Sequence, residues 1–267
     1  MAVIVTFSAP NDLLSCVNAL RSQTRRPDQI LVIDNAGTPP AHTVLSKTPG
    51  VDIQRMSANT GPAGGFAAGF QLFSAGRHDF IWVMDDDVVP DPHCLESLLS
   101  DYEADPARLY LRPIIRGPKD EVLRWPGWYG VLIARHAVEA VGQPWPDWVW
   151  FFEDTDYLQR RLPRAGFERF QSQTATAIHM MSRRTDHKPA WKLYYETRNG
   201  MYYRLRVQRG RRWYKLLRAL VKTAARIAVK EDDRWHKATL FCRGMWDGIR
   251  GRMGITVALP TRVTSDV

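Results

Sequence analysis

Five apolar residues, Phe80-Ile81-Trp82-Val83-Met84, run directly into three consecutive carboxylates, Asp85-Asp86-Asp87. The apolar run reads as a buried strand that ends on the acids. Like charges packed that closely raise one another's pKa and are hard to keep ionised together. A divalent cation between them removes the conflict, and carboxylate oxygens suit Mg²⁺ or Mn²⁺, ions that commonly clamp a diphosphate. From this run alone a competing reading stands level with it: an acidic turn capping a helix that starts near Pro92.

The rest of the first 90 residues alternates strand-like and helix-like segments. Ala2–Thr6, Gln29–Ile33, a weaker Val51–Met56 and Phe80–Met84 read as strands; Asp12–Gln23, with Asn11 as its cap, and Ala63–Ala75 read as helices. Such alternation predicts a parallel α/β sheet with right-handed crossovers. Thr6, Asp34-Asn35, Asn59 and Asp85 to Asp87 then all fall at or just beyond the C-terminal ends of strands, the edge where open α/β sheets bind ligands. Further on, helices are expected at Pro92–Tyr102, around His136–Val141 and from Glu153 to near Pro163. Strands are expected at Leu109–Pro113, Val131–Ala134 and within Phe167–Ile178, and the apolar Trp148–Phe152 alternates like a strand with one buried face.

With 267 residues, 45% of them hydrophobic, the chain can bury one large core, alone or with an appendage. No stretch approaches the ~18 apolar residues of a membrane span. The N-terminus enters a strand pattern without the basic start and apolar run of a signal peptide. Cys16, Cys94 and Cys242 are odd in number and far apart, which fits reduced thiols and a cytoplasmic protein. The net charge of +9 is unevenly placed: residues 1–179 hold 16 Lys/Arg against 21 Asp/Glu, and residues 180–267 hold 21 against 7. A basic C-terminal third points to an anionic partner, nucleic acid or a phospholipid surface.

Several segments carry candidate chemistry. Asn59-Thr60-Gly61-Pro62-Ala63-Gly64-Gly65 precedes a helix whose N-terminus offers N–H groups to an anion, although taken alone the segment reads more readily as a plain turn. Glu153 and Asp154 open a helix, either as caps complementing its dipole or, near a metal-bound diphosphate, as a general base for an attacking hydroxyl. His179 closes the last strand; one imidazole added to two carboxylates is a reasonable Mn²⁺ set, with His187 competing. Trp125, Trp128, Trp145, Trp148 and Trp150 place half of the ten tryptophans in one short stretch, some for the core and some suited to stacking on sugar rings. Within Arg211–Lys230, Arg211, Lys215, Arg218, Lys222, Arg226 and Lys230 form a cationic stripe opposite Trp213, Leu216, Leu217, Leu220, Ala224 and Ile227. That basic amphipathic pattern fits an anionic membrane interface, and it spells no known nucleic-acid module.

Taken together these pieces resemble glycosyltransferase family 2, whose members use nucleotide-sugar donors on a GT-A fold. The resemblance rests on Val5-Thr6-Phe7, Ile33-Asp34-Asn35-Ala36, Asn59 to Phe66, Trp82 to Asp87 and Phe152-Glu153-Asp154-Thr155-Asp156-Tyr157, in family order. The branch resembles bacterial rhamnosyltransferases and galactofuranosyltransferases, the latter through Ile178-His179-Met180, Trp191 and Tyr194-Tyr195-Glu196-Thr197-Arg198-Asn199. It implies a GT-A domain over residues 1–205, a single Rossmann-like, mostly parallel sheet flanked by helices, and a basic helical region over 206–267. It further implies an inverting, divalent-metal-dependent transfer of galactofuranose or rhamnose from a UDP- or dTDP-sugar to a lipid-linked or cell-envelope glycan. Thr6, Phe7, Asp34, Asn59, Gly64, Gly65, Asp85, Asp86 and Arg160 would contact the donor. Asp85, Asp87 and His179 would hold Mn²⁺ or Mg²⁺. Asp154 would be the catalytic base, with Glu153, Trp128 and Tyr129 on the acceptor. The enzyme would sit peripherally on the inner face of the cytoplasmic membrane, through Arg211–Lys230, with no nucleic-acid partner.

The chain departs from the family pattern in places. Phe7-Ser8 stands where Tyr-Asn is usual, Glu153 where Asp is commoner, and one residue is inserted around Leu162-Pro163-Arg164. The competing readings are a sugar nucleotidyltransferase, whose basic nucleotide-binding loop is missing near residues 6–20, and a non-catalytic nucleotide-sugar or nucleic-acid binder.

Overall fold

The computed structural model describes residues 1–124, 127–181, 187–208 and 213–261, with the backbone alone at Trp213. The expectations for Trp125, Arg211 and the Trp213 ring lie outside the described residues. The chain opens with β1 (Ala2–Thr6), α1 (Pro10–Arg21), β2 (Ile30–Asp34), the short α2 (Ala41–Val44), β3 (Asp52–Arg55), α3 (Gly61–Ala75) and β4 (Phe80–Asp85). β3, β2, β1 and β4 pair in parallel in that order. α1 starts on Pro10, whose missing N–H costs nothing in a first turn, and Asn11 does not cap it.

Past β4 the sheet changes character. There follow β5 (Val88–Pro90), α4 (Cys94–Ala104), β6 (Tyr110–Arg116), β7 (Tyr129–Ala134), α5 (Arg135–Val141), α6 (Glu153–Asp156), α7 (Leu162–Arg164) and β8 (Phe170–His179). The strand order is β3-β2-β1-β4-β7-β6-β8-β5. β7 runs antiparallel to β4 and β6, β8 runs parallel to β6, and β5 is antiparallel to β8. The sheet is therefore half parallel and half mixed. β5 also stands between the acidic run and α4, so Asp85 to Asp87 do not cap that helix. Between α6 and α7, Tyr157–Arg161 is π-helical, a form that takes up one extra residue, just before the Leu162-Pro163-Arg164 segment.

Alternate residues of the central strands feed two cores. Ala2, Ile4, Trp82 and Met84 meet Leu13, Val17 and Leu20 of α1 and Leu95 and Leu98 of α4. Val3, Val5, Ile81 and Val83 meet Phe66, Phe70 and Phe73 of α3 and Tyr157, Leu158 and Leu162. Burial on both faces is why these strands read as unbroken apolar runs. The α3 glycines set how closely that helix approaches. A Cβ at Gly65 would lie 2.5 Å from Val5 Cγ1, and one at Gly69 2.5 Å from Val3 Cγ1.

The C-terminal part is not a loose appendage. α8 (Ala190–Tyr202) continues as a π-helical stretch, Tyr203–Val207, before α9 (Trp213–Val229) and α10 (Arg234–Arg250). α10 lies against α8 so closely that a Cβ at Gly248 would sit 2.5 Å from Arg198 O. The following segment returns to the body, where Asn59 Nδ2 donates to Pro260 O at 3.0 Å. On α9, Leu216 and Ile227 are buried, while Tyr214, Leu217 and Val221 are 55%, 53% and 61% exposed, and Ala224 is exposed as well. At 3.6 residues per turn the expected single apolar face is thus two. One packs on the body; the other lies open beside the exposed Lys215, Arg218 and Lys222. No described helix is long and apolar enough to cross a membrane.

If close approach rather than flexibility explains the α3 glycines, Gly69→Ala should destabilise the protein. Alanine in a helix interior normally gains about 1 kcal/mol over glycine, whereas forcing a methyl into a full core costs about 1–3 kcal/mol. Urea unfolding should show a lower midpoint at unchanged slope; a higher midpoint would refute the packing argument.

Candidate active site

The C-terminal ends of β1 and β4, the start of β7, the end of β8 and the turn before α6 surround one cavity of about 470 Å³. Its wall includes Thr6, Phe7, Asp85, Asp86, Asp87, Trp128, Tyr129, Glu153, Asp154 and His179. These residues come together because β1 and β4 are paired in register, Val5 opposite Asp85, so both strands deliver their last residues to one edge. Thr6 Oγ1 donates to Asp86 Oδ2 at 2.7 Å. β5 pairs with β8 so that Val88 faces His179. That register puts His179 Nε2 at 3.2 Å from Asp87 Oδ2. Tyr129, opposite Met84 across β4–β7, stacks on the imidazole with ring centroids 4.4 Å apart.

The second acidic pair arrives by a different route. Pro146–Trp148 forms a 3-10 turn, and Val149, Phe151 and Phe152 then take φ values of +64°, +68° and +72°. The expected Trp148–Phe152 strand is instead this left-handed turn, whose bulky residues each cost roughly 1–3 kcal/mol of backbone strain. It reverses the chain and aims the first residues of α6 into the cavity.

Burial and mutual repulsion dominate the electrostatics. Burial, then the charges of Asp87, Asp86, Glu153 and Asp154, push the Asp85 carboxyl well above its ordinary range. Glu153 is raised by burial and by Asp154, and its Oε2 has no hydrogen-bond partner among the described residues. Asp154 is raised by burial to about 6, less than it would be without the Thr155 N–H, which donates to its Oδ1 at 2.5 Å. A site of clustered carboxylates plus one imidazole has the donor chemistry of a hard divalent cation. Asp87 and His179 are already paired. Asp85, on the same wall, is not drawn in to the 4.8 Å spacing of a closed three-ligand set. Among the described residues, the group that does meet that spacing is His187, Glu231 and Asp232. There Lys237 pairs with both acids and Arg226 with Glu231, so the negative charge is already neutralised.

Other residues expected at the site stand outside the cavity. Asp34 Oδ1 accepts the Gly37 N–H at 2.8 Å, Oδ2 accepts the Ala41 N–H at 2.9 Å, and Arg55 pairs with it. It shapes the loop after β2. Asn59 binds Pro260 O and accepts from Gly61 N. The absent side chains of Gly64 and Gly65 make room for Thr60 and Val5. Arg160 is paired with Asp156 at 2.5 Å. Trp128 lines the cavity, yet its ring is 2% exposed and packs among Phe66, Phe70 and Tyr157, so it has no free face for a sugar. Asn35, placed at the sheet edge by the sequence, and Trp150, one of the clustered tryptophans, also line the cavity, as do Pro62, Phe151, Met181 and Lys192, which were not singled out as site residues. Asn35 at a strand end and the Trp150 of a tryptophan-rich stretch had a sequence signal; Met181 and Lys192 had none.

The family model for glycosyl transferase family 2 matches residues 1–209. Galactofuranosyltransferase GlfT1 of Mycobacterium tuberculosis (strain ATCC 25618 / H37Rv) is 35% identical over 103 residues, 37% of this chain and 34% of that protein. GlfT1 of Mycolicibacterium smegmatis is 38% identical over 101 residues, 37% and 33% of the two chains. The matched span is thus about a third of those relatives' length. Among solved structures, the mannosyltransferase PcManGT from Pyrobaculum calidifontis in complex with GDP-Man and Mn²⁺ superposes with a TM-score of 0.61 at 14% identity, covering 97% of this chain and 76% of that one. S. aureus TarS 1-349 gives 0.55 at 11% identity, covering 94% and 71%. The chain belongs to glycosyl transferase family 2 and has a GT-A fold.

Proposed function

We propose that this enzyme inverts the anomeric centre of a nucleotide sugar while transferring it to a hydroxyl of a lipid-linked or cell-envelope glycan. The observation that carries the reading is the meeting, in one cavity, of Asp85, Asp87 and His179 with Glu153 and Asp154. Thr6 and Phe7 bound the nucleoside side. Asp85, Asp87 and His179 would hold Mn²⁺ or Mg²⁺, which would supply Lewis-acid neutralisation of the departing diphosphate. Asp154 takes the proton of the acceptor hydroxyl as its oxygen bonds to the anomeric carbon and the bond to the diphosphate breaks. A single displacement with one base inverts the configuration. Glu153, Tyr129 and Trp150 orient the acceptor, Trp150 replacing the buried Trp128 in that role. The names of the GlfT1 relatives favour galactofuranose over rhamnose.

The open face of α9 supports a peripheral membrane seat. Tyr214, Leu217 and Val221 offer apolar surface beside Lys215, Arg218 and Lys222, and Trp235 at the start of α10 is 89% exposed. An apolar strip flanked by cations fits the headgroup region of an anionic bilayer, where a lipid-linked acceptor resides.

UDP- and dTDP-sugars incubated with Mn²⁺ should reveal one donor whose turnover releases nucleoside diphosphate. That turnover should vanish on chelation and in Asp85→Ala/Asp87→Ala. Absence of any metal-dependent nucleotide binding would overturn the assignment.

Asp154→Asn should have opposite effects on activity and stability. Transfer should fall on the order of 10²–10⁴-fold with donor affinity kept. The variant should nonetheless unfold at higher denaturant at pH 7. Raising the folded pKa from 3.8 to about 6 costs the ionised form roughly 3 kcal/mol. That cost is full above pH 6 and gone below the unfolded value, so the gain over wild type should disappear near pH 3.5. A variant retaining transfer would remove Asp154 as base.

Leu217→Asp/Val221→Asp should weaken sedimentation with phosphatidylglycerol vesicles while leaving uncharged phosphatidylcholine vesicles unbound as before. Unchanged partitioning would remove the membrane seat.

A further inference from the structure

We infer that Arg198 and Asn199 are positioning residues that hold the left-handed turn carrying Glu153 and Asp154, an inference that rests on the proposed function of that turn. Positive φ at Val149 and Phe151 rotates successive peptides so that several carbonyls converge. Converging carbonyl dipoles repel one another unless a donor sits between them. Asn199 is that donor. Fully buried, its Nδ2 lies 2.8 Å from Trp148 O, 2.8 Å from Trp150 O and 2.9 Å from Phe151 O. Its Oδ1 accepts from Arg198 Nε at 2.8 Å, which fixes the amide the right way round.

Arg198, also fully buried, extends the clamp in two directions. Nη2 donates to Asp147 O and Trp148 O, both at 3.1 Å. Nη1 donates to Gly254 O at 2.5 Å and reaches Thr256 Oγ1 at 3.3 Å. Gly254 N in turn donates to Asp147 O at 2.9 Å. The Tyr195 hydroxyl anchors the same segment through Val257 O at 2.5 Å. The far side of the turn is wedged by α3, where Ala63 N donates to Val149 O at 3.3 Å and a Cβ on Gly61 would overlap that oxygen. The segment after α10 that includes residues 254–257, a C-terminal strap, thus encloses the turn together with α8 and α3. None of the clamp's hydrogen bonds reaches Thr6, Phe7 or Asp85 to Asp87, which come from β1 and the end of β4.

This separation makes the role testable. Asn199→Ala should lower kcat on the order of a hundredfold, the effect of misplacing a reacting group by about 1 Å. The Kd for the nucleoside diphosphate with Mn²⁺ should stay within about twofold, since binding lost equally in ground and transition states would mark a different defect. Arg198→Lys, which keeps the charge and loses the fork, should give a smaller loss of the same kind. Hydrogen exchange should speed up selectively at the amides of residues 148–154 in both. A folded variant with wild-type kcat, a proportional loss of donor binding and kcat, or failure of both variants to fold would overturn the positioning role. A wild-type protein without transfer activity would strike the proposed function instead, while faster exchange confined to the turn would still report the clamp.

Discussion

The carboxylates Asp85, Asp86, Asp87, Glu153 and Asp154 share the wall of one cavity, and much of the surrounding architecture is organised around holding them there. Buried like charges resist being brought together, because burial removes the water that would screen them. The fold answers with rigid delivery. Asp85 ends a fully paired strand, Asp86 is tied to Thr6, Asp87 faces His179, and Asp154 accepts the Thr155 N–H. The residual conflict is stored as raised pKa values. Such a cavity favours whatever brings positive charge into it, which is a physical reason for a metal-bound diphosphate to be its ligand.

The parts of this design that were legible in the sequence are those where local pattern and tertiary role coincide. β1 and β4 are covered by helices on both faces, so burial forces an apolar run and the strand end is marked by the first polar residue. That is why Thr6 and Asp85 to Asp87 were placeable from the chain alone. Polar residues at strand ends have a second use, however, and Asp34 and Asn59 take it: their oxygens and amides satisfy loop backbone that would otherwise be stranded. Sequence position alone does not show which of these carboxylates also braces its own turn. The switch from a parallel to a mixed sheet was also hidden. It depends on how β7 enters beside β4, and no residue of β7 announces a direction.

The turn before α6 was misread for a related reason. Trp148-Val149-Trp150-Phe151-Phe152 alternates in size like a half-buried strand, and β-branched and aromatic residues favour one. What overrides that propensity is made by residues some 50 positions later in the chain, Arg198 and Asn199. A donor supplied from another helix leaves no trace in the local pattern. The same holds for α9: helical spacing located its cations, but which apolar residues turn inward depends on where α8 and α10 lie. Leu216 and Ile227 are buried while Leu217 and Val221 are not.

Strain and buried charge fall on the same few residues, and that coincidence is informative. Three left-handed, bulky residues at roughly 1–3 kcal/mol each precede two acids, of which Glu153 is buried with its Oε2 unsatisfied among the described residues. A turn selected for stability alone would place glycine at those φ values and an amide or an apolar residue at position 153. Trp150 and Phe151 instead line the cavity, so glycine in place of Phe151 would remove part of the wall along with the strain. The hydrogen bonds from α8 and the C-terminal strap compensate at a distance for what the turn gives up locally. The C-terminal region therefore contributes to the site as well as to any surface it meets: its strap and α10 hold α8, and α8 holds the turn.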